Sequence, residues 1–197
     1  MRARAAGLCA TLALVLPAAS EAAGGDYRIV GGTRAERSVV VSALDASSFD
    51  WSLVPGPVTI TIARGSDSRA LPGRIWIDAD LLDSGRFAWG VVQHEYAHQV
   101  DFLLLNDAER AFLLRALGGR EWCSTAPDRP HAYYGCERFA AELAWAYWPS
   151  PDNVMKPEAP SIAPSRFRTL VEGLLRDPAR ARLRSHPGRS RSHERRA

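Results

Sequence analysis

The chain of 197 residues is poor in two residue types that cross-link proteins or bind metals, with three cysteines and five histidines. Its formal charge at pH 7 is only +3, so a uniformly basic nucleic-acid-binding protein is not indicated. After the N-terminal segment it has no apolar stretch near the length of about 18 residues that a membrane span needs. With 46% apolar residues the composition is that of an ordinary globular protein, and the length suits one domain.

The chain also lacks the motif of a serine protease, although one string suggests it. The string YRIVGG at residues 27–32 looks like the activated N-terminus of a trypsin-like protease. That family also needs a GDSGG motif, which is absent, and its fold is built of strands, whereas most of this chain has helical patterns. We therefore treat the match as coincidence.

The N-terminus has the three parts of a secretory signal peptide. Arg2 and Arg4 precede an apolar run at residues 8–16, and a proline and several small residues follow it. The apolar run is too short to span a bilayer as a mature helix. We predict a signal peptide over residues 1–22, cleaved near Ala22, and hence a secreted bacterial protein without a transmembrane segment. The alternative is a buried helix at the start of the domain.

The C-terminal end differs in charge from the rest of the chain. Residues 176–197 hold eight arginines against two acidic residues, whereas the body before them is mildly acidic. Since a segment with so few apolar residues cannot bury a core, we predict a basic disordered tail over residues 177–197. It is either a solvated end or a contact with an anionic cell wall or membrane surface. The mature domain then comprises an N-terminal segment at residues 23–57 and a core at residues 58–176.

Removal of the predicted signal peptide changes the number of cysteines that can pair. Cleavage would remove Cys9 and leave Cys123 and Cys136 as an even pair in an exported protein. Two cysteines in an oxidising compartment indicate a disulfide, and closing this small loop would contribute roughly 3 kcal/mol in the chain-entropy model. The alternative is that both thiols bind metal, but neither lies in a C-x-x-C spacing.

Residue patterns predict an α+β fold. Two apolar, partly alternating segments that follow Pro-Gly turns are predicted strands, at residues 58–62 and 74–78. Helical periodicity with capping residues predicts helices at residues 86–105, 107–117, 137–148 and 165–176. Residues 34–44 fit either a helix or a strand, because a run of three valines opposes their helical spacing.

The most informative string is HEYAH at residues 94–98, in the middle of the predicted helix 86–105. His94 and His98 are four residues apart and share a helical face, so both imidazoles can bind one ion. Glu95 can then reach a water on that ion, as in the H-E-x-x-H motif of zinc enzymes. We therefore predict bound Zn²⁺. The alternative is two histidines that are satisfied within a buried helix.

Two histidines make an incomplete site, because catalytic zinc usually has three protein ligands and an open position. The downstream candidates are Asp101, His131, Glu137 and Glu142. Asp101 lies a turn beyond His98, which suits a supporting carboxylate behind the ligands better than a ligand. Glu137 and Glu142 are five apart on one helix and point away from each other, so at most one can ligate. We prefer Glu137, which shares its face with small alanines, and keep Glu142 as the alternative.

The HEYAH string followed by a glutamate on a later helix resembles the gluzincin group of zinc metallopeptidases. The block ERFA at residues 137–140 resembles the E-x-F-A-E segment of secreted bacterial members related to the anthrax lethal factor protease domain. In that segment the first glutamate ligates zinc, which supports Glu137. Ala141 departs from the family, where a second acid is common, and the acid falls one place later at Glu142. The resemblance covers roughly residues 58–148.

This resemblance implies a zincin-like single domain, in which a small mixed sheet packs on the metal-binding helix together with further helices. It implies a secreted zinc metallopeptidase that cleaves peptide or protein substrates, with Glu95 as the general base. Related enzymes carry a tyrosine that donates to the oxyanion, and Tyr133 and Tyr134 are the candidates for this role. The predicted strands would supply the sheet whose edge binds extended peptide by strand addition. We expect a monomer.

Two other functional classes remain open. One is a non-catalytic zinc-binding protein associated with the cell wall, which a buried site without an open coordination position or a peptide cleft would favour. The other is a metal-dependent hydrolase of a non-peptide amide. Glu95 speaks against an inactive protein, because metal binding alone does not require a glutamate at that position.

Overall fold

The structure is a computed structural model that describes residues 25–124, 129–157 and 161–176. The strands in these ranges are β1 (Tyr27–Gly31), β2 (Val58–Ala63), β3 (Arg69–Leu71) and β4 (Arg74–Asp78). The helices are α1 (Arg34–Ala46), α2 (Ala79–Leu82), α3 (Phe87–Leu104), α4 (Asp107–Leu117), α5 (Gly135–Tyr147) and α6 (Pro164–Leu175). The predicted signal peptide and the predicted basic tail lie outside the described residues.

The strands form one mixed sheet in the order β1-β2-β4-β3. β1 and β4 both pair with β2 in parallel, and β3 pairs with β4 antiparallel. The period-two pattern of β2 buries Val58, Ile60 and Ile62 on one face, as expected for a strand at the core. The α+β class with a small mixed sheet is thus confirmed.

Two strands were not predicted. β1 is the YRIVG segment that we set aside as a coincidental protease match, and it pairs with β2 from Tyr27 to Gly31. β3 is three residues long and mostly exposed, so its sequence carries no period-two pattern. β1 is defined by pairing with β2, which is distant in sequence, and β3 by a hairpin with β4, and neither pairing is visible in the residues of the strand itself.

The ambiguous segment at residues 34–44 is a helix, α1. Thr33 and Glu36 form a reciprocal capping box at its N-terminus, since each side chain accepts a hydrogen bond from the other's backbone N–H. The helix buries Val40, Ala43 and Leu44, whose spacing of three and four follows one helical face. Packing of this face outweighs the weak helix propensity of the valines.

Helix α3 is the centre of the molecule and is buried on nearly all sides. It packs against α1, α5 and the β3–β4 hairpin. The Gln93 side chain donates to the Ala43 carbonyl oxygen at 2.7 Å and ties α3 to α1. Because so many of its surfaces are in contact, the side chains of α3 have fixed positions relative to several other elements.

Helix α5 lies beside α3, with Ala140 and Ala144 fully buried. Helices α4 and α6 pack against α5 on other sides. The Asn153 side chain donates to the carbonyl oxygens of Ala144 and Trp148 and so satisfies the end of α5. Among the described residues, no helix combines the length and the apolarity needed to cross a membrane.

Candidate metal centre

His94 and His98 lie one turn apart on α3 and point to the same place. Their Nε2 atoms are 3.2 Å apart, and both residues are buried, with 7% and 6% of their surface exposed. The imidazole of His98 stacks on Phe102, with ring centroids 5.9 Å apart and planes 18° from parallel. The helical spacing read from the sequence therefore produces the expected pair of adjacent nitrogen donors.

Glu137 completes a cluster of three potential ligands. It lies in the first turn of α5, and its Oε2 is 3.2 Å from His94 Nε2 and 3.6 Å from His98 Nε2. The three donor atoms lie within 4.8 Å of one another, so the group could hold a metal ion. The predicted alanine face explains the approach, because Ala140 and Ala144 let α5 pack closely on α3.

The three side chains interact strongly through charge in the absence of a metal. Burial favours the neutral form of both imidazoles and lowers the pKa of His94. For His98 the hydrogen bond and negative charge of Glu137 outweigh burial and raise its pKa. Burial would raise the pKa of Glu137, but the hydrogen bonds from the two histidines hold it well below its ordinary value. The cluster is thus arranged to hold positive charge against the Glu137 carboxylate.

Glu95 lies beside the cluster and is directed to the same cleft. It is buried, with 7% of its surface exposed, and lines the cleft together with His94 and His98. Burial raises its pKa to about 7, and the charge of Glu137 adds to this while His98 opposes it. A carboxyl group with a pKa near neutrality can both accept and release a proton at physiological pH.

Glu142, the alternative third ligand, is placed elsewhere. Its Oε1 accepts a hydrogen bond from the backbone N–H of Ile162 at 3.0 Å, and the residue is 2% exposed. Burial raises the pKa of this carboxyl group above its ordinary value. The cluster of possible metal ligands among the described residues contains Glu137 and not Glu142.

Asp101, the predicted supporting carboxylate, is 1% exposed and lies a turn beyond His98. Its Oδ1 accepts a hydrogen bond from Arg110 Nε at 2.8 Å, and its Oδ2 accepts one from Trp122 Nε1 at 3.1 Å. Within the described residues the Nδ1 atoms of His94 and His98 have no hydrogen-bond partner, so Asp101 acts on His98 through its charge. Its hydrogen bonds join α3 to α4 and to the segment before Cys123.

Neither predicted tyrosine lines the cleft in the described residues. Tyr134 is the residue before α5 and is 3% exposed, and its ring contacts that of Tyr133 edge to face at 5.3 Å. His131, which precedes them, does line the cleft, and its Nδ1 is 3.8 Å from Glu137 Oε2. The structure thus brings an exposed third imidazole to the site at the position where we expected a tyrosine.

The predicted disulfide is confirmed. Cys123 and Cys136 are joined, with Cα atoms 5.7 Å apart. Cys136 is the second residue of α5 and directly precedes Glu137, while Cys123 lines the cleft. The bond therefore holds the N-terminus of the ligand-bearing helix against the wall of the cleft.

The cleft runs between α3 and the edge strand β3. Its lining comprises Ser68, Arg69, Ala70, Leu71, His94, Glu95, His98, Phe102, Cys123, Ser124, His131 and Glu137. The two strands that we expected to provide the sheet edge, β2 and β4, are interior, and the short strand β3 forms the edge beside the site. Gln99 of α3 fixes this strand, because its amide nitrogen donates to the Leu71 carbonyl oxygen and its amide oxygen accepts from Gly73 N–H.

Comparison with known proteins gives no match: no protein-family model fits the chain, and no curated protein and no solved structure matches it significantly. Its function is therefore inferred from the residues of the site and their geometry.

Proposed function

We propose that the chain is a secreted, zincin-like, zinc-dependent metallopeptidase. The observation that carries this proposal is the convergence of His94, His98 and Glu137 beside Glu95, at the wall of a cleft bounded by an edge strand. The disulfide agrees with an exported protein, since such bonds persist in oxidising compartments.

The donor set fits zinc better than a hard cation. Two imidazole nitrogens and one carboxylate oxygen form a common protein ligand set of catalytic zinc, whereas calcium and magnesium prefer oxygen ligands alone. Three protein ligands also leave one position open. Zinc bound there would lower the pKa of a coordinated water towards about 7 and polarise a scissile carbonyl group.

The residues around the cluster have separate roles in peptide hydrolysis. Glu95 accepts the proton of the attacking water and passes it to the leaving amine, and its position in the cleft beside His94 and His98 suits both steps. His131 lines the cleft beside Glu137 and can donate a hydrogen bond to the developing oxyanion. We assign it this role in place of Tyr133 or Tyr134.

The shape of the cleft favours an extended peptide as substrate. β3 pairs with β4 on one side, and its other side faces the cleft. An exposed strand edge offers backbone donors and acceptors that an extended peptide can complete as an added strand. The scissile bond would then lie between this edge and the three ligands on α3 and α5.

The test is zinc content and cleavage of casein and a peptide library by the mature chain and its Glu95→Gln variant. The wild type should hold about one zinc per chain and cleave peptides. Glu95→Gln should retain the metal and lose activity by about a hundredfold or more, because the proton acceptor is removed and no ligand is changed.

Glu172→Gln serves as the matched control, since Glu172 lies on α6 and lines a different cavity. It should leave both zinc content and cleavage unchanged. A wild type without zinc, or a Glu95→Gln variant that cleaves as fast as the wild type, would show the proposal to be wrong.

A non-catalytic zinc-binding protein is the second candidate, and the position of His131 is the observation that favours it. As a fourth protein ligand His131 would close the open position and make the site structural. The two functions predict different results for His131→Ala. In a structural site the variant should lose zinc affinity by tenfold or more, whereas in a catalytic site it should keep the metal and lose turnover.

A further inference from the structure

A second pocket lies next to the metal centre and has lining residues in common with the cleft. It has a volume of about 140 Å³ and shares His94, His131 and Glu137 with the site. Its walls are formed by small and aliphatic residues of the turn before α5, of α5 itself and of the segment after it, namely Ala132, Ala141, Val154, Met155 and Pro157. A cavity of about this size accommodates a group as large as benzene.

Glu142 supplies an unpartnered acceptor to this pocket. The residue lines the pocket and is 2% exposed. Its Oε1 is satisfied by the Ile162 N–H, but its Oε2 is buried and has no hydrogen-bond partner in the described residues. A buried carboxylate oxygen without a donor costs free energy, and a bound group that donates to it would remove that cost.

Two cations also line the pocket, and the positive charge of Arg138 partly offsets the rise that burial causes in the pKa of Glu142. Arg138 Nε donates to the Ala132 carbonyl oxygen at 2.6 Å. Lys156 Nζ lies 5.9 Å from the centroid of the Trp145 ring. Among the described residues neither forms a hydrogen bond with Glu142 Oε2, so this buried oxygen is left without a donor.

We infer that this pocket binds the basic side chain, lysine or arginine, of a residue next to the scissile bond, with Glu142 as the residue that selects it. The aliphatic walls cover the methylene stem of such a side chain, and its charged end donates to Glu142 Oε2. The inferred preference for basic residues in cleaved peptides rests on the proposed peptidase function. The affinity of the pocket for a basic group does not depend on that function.

Binding is tested first, without any need for catalysis. The probes are n-butylguanidinium and its neutral isostere n-butylurea, titrated by calorimetry into the mature chain with and without added zinc. We expect the wild type to bind butylguanidinium at least tenfold more tightly than butylurea. In Glu142→Gln this ratio should fall to about one, because the amide keeps an acceptor for Ile162 N–H and removes the charge.

Two further variants make the binding test decisive. Glu172→Gln should keep the wild-type ratio. Ala141→Met, which fills the pocket from its wall and leaves Glu142 in place, should abolish butylguanidinium binding and retain zinc, which covers the case in which Glu142→Gln does not fold. Equal binding of the two probes by the wild type, or an unchanged ratio in a folded Glu142→Gln variant, would overturn the inference.

Cleavage separates this inference from the proposed function. If the chain is a peptidase, library cleavage by the wild type should be enriched for lysine or arginine on one side of the scissile bond. Glu142→Gln should lower kcat/KM for these peptides at least tenfold and leave peptides with alanine there unchanged. Cleavage without a basic preference would overturn the inference and leave the peptidase, whereas selective probe binding without cleavage would support the pocket and contradict the peptidase.

Discussion

Glu137 and Glu142 are chemically identical and lie on one helix, yet they differ in every contact that matters for metal binding. Glu137 Oε2 is within 3.6 Å of both imidazoles, while Glu142 accepts a hydrogen bond from the backbone before α6. The difference follows from the five-residue spacing, which places the two side chains on different sides of α5. One side of this helix faces α3, and the other faces the segment at residues 161–163.

The pair gives a direct test of the third ligand. Glu137→Gln should lower zinc affinity by tenfold or more, because a charged ligand becomes neutral. Glu142→Gln should bind zinc like the wild type. Competition with a chromophoric chelator at pH 7.5 measures both variants, and a larger loss in Glu142→Gln than in Glu137→Gln would reverse the assignment.

Zinc affinity should also depend on pH in a way that the cluster determines. In the metal-free protein the pKa of His98 is raised and that of His94 is lowered, so His98 keeps to higher pH the proton that zinc must displace. Affinity should therefore rise with pH, by about tenfold per pH unit until His98 has lost its proton.

The same proton has the opposite effect on the metal-free fold. A raised pKa in the folded state means that protonated His98 stabilises the fold below its ordinary pKa of 6.5, and that this contribution is lost as the pH rises through the folded value.

Chelator competition from pH 6 to pH 8 measures how the zinc affinity depends on pH. An affinity that is independent of pH over this interval would contradict a protonated His98.

At the scale of elements, the cleft depends on how α3 holds the β3–β4 hairpin. Gln99 is fully buried and spans the gap between the helix and the turn, with hydrogen bonds to Leu71, Gly73 and Arg74. A short edge strand with few residues has little intrinsic stability, so its position relative to the metal ligands depends on this side chain as well as on pairing with β4.

Gln99→Leu should therefore impair both stability and substrate binding. Removal of the amide deletes three hydrogen bonds to part-buried backbone groups and should cost about 2 kcal/mol in unfolding free energy. KM for peptides should rise, because β3 is no longer held at the cleft, while zinc content should stay at the wild-type level. Urea unfolding and steady-state kinetics measure the two effects.

Gln93→Leu is the matched control for this prediction. Gln93 is also a buried glutamine of α3, but it binds the Ala43 carbonyl oxygen on the side of α1. It should lower stability without raising KM. Equal changes of KM in both variants would mean that the effect comes from α3 itself and not from the edge strand.

At the scale of the whole molecule, a metal would join parts of the chain that are far apart in sequence. His94 and His98 belong to the central helix α3, and Glu137 belongs to α5, which packs beside it. The Cys123–Cys136 bond closes the loop that precedes α5 and so holds the N-terminus of that helix. Metal and disulfide would therefore stabilise the same helix pair.

Removal of the metal should destabilise the entire domain. A ligand that binds only the folded state adds about 4 kcal/mol when its free concentration is a thousandfold above Kd. For a domain of this size, EDTA should then lower the Tm by about 10 °C. Glu137→Gln should be much less sensitive to EDTA, and an equal shift in both proteins would show that the stabilising metal is bound elsewhere.

The chain's local patterns determined a large part of this picture. The spacing of HEYAH is sufficient to place two imidazoles on one face, because the helix repeat acts over four residues. The helices α3, α4, α5 and α6 and the strands β2 and β4 follow their hydrophobic periodicity to within one or two residues. Residues 34–44 remained ambiguous because local propensity and helical spacing disagree there.

The third ligand, the strand pairing and the lining of the cleft were decided only by the tertiary structure, because they depend on contacts between distant segments. Glu137 rather than Glu142 reaches the imidazoles because of how α5 packs on α3, and β1 is a strand because β2 lies beside it. His131, rather than either tyrosine, faces the cleft through the path of the loop before α5. Side-chain periodicity is a property of neighbours along the chain, whereas the cleft is formed where separate elements meet.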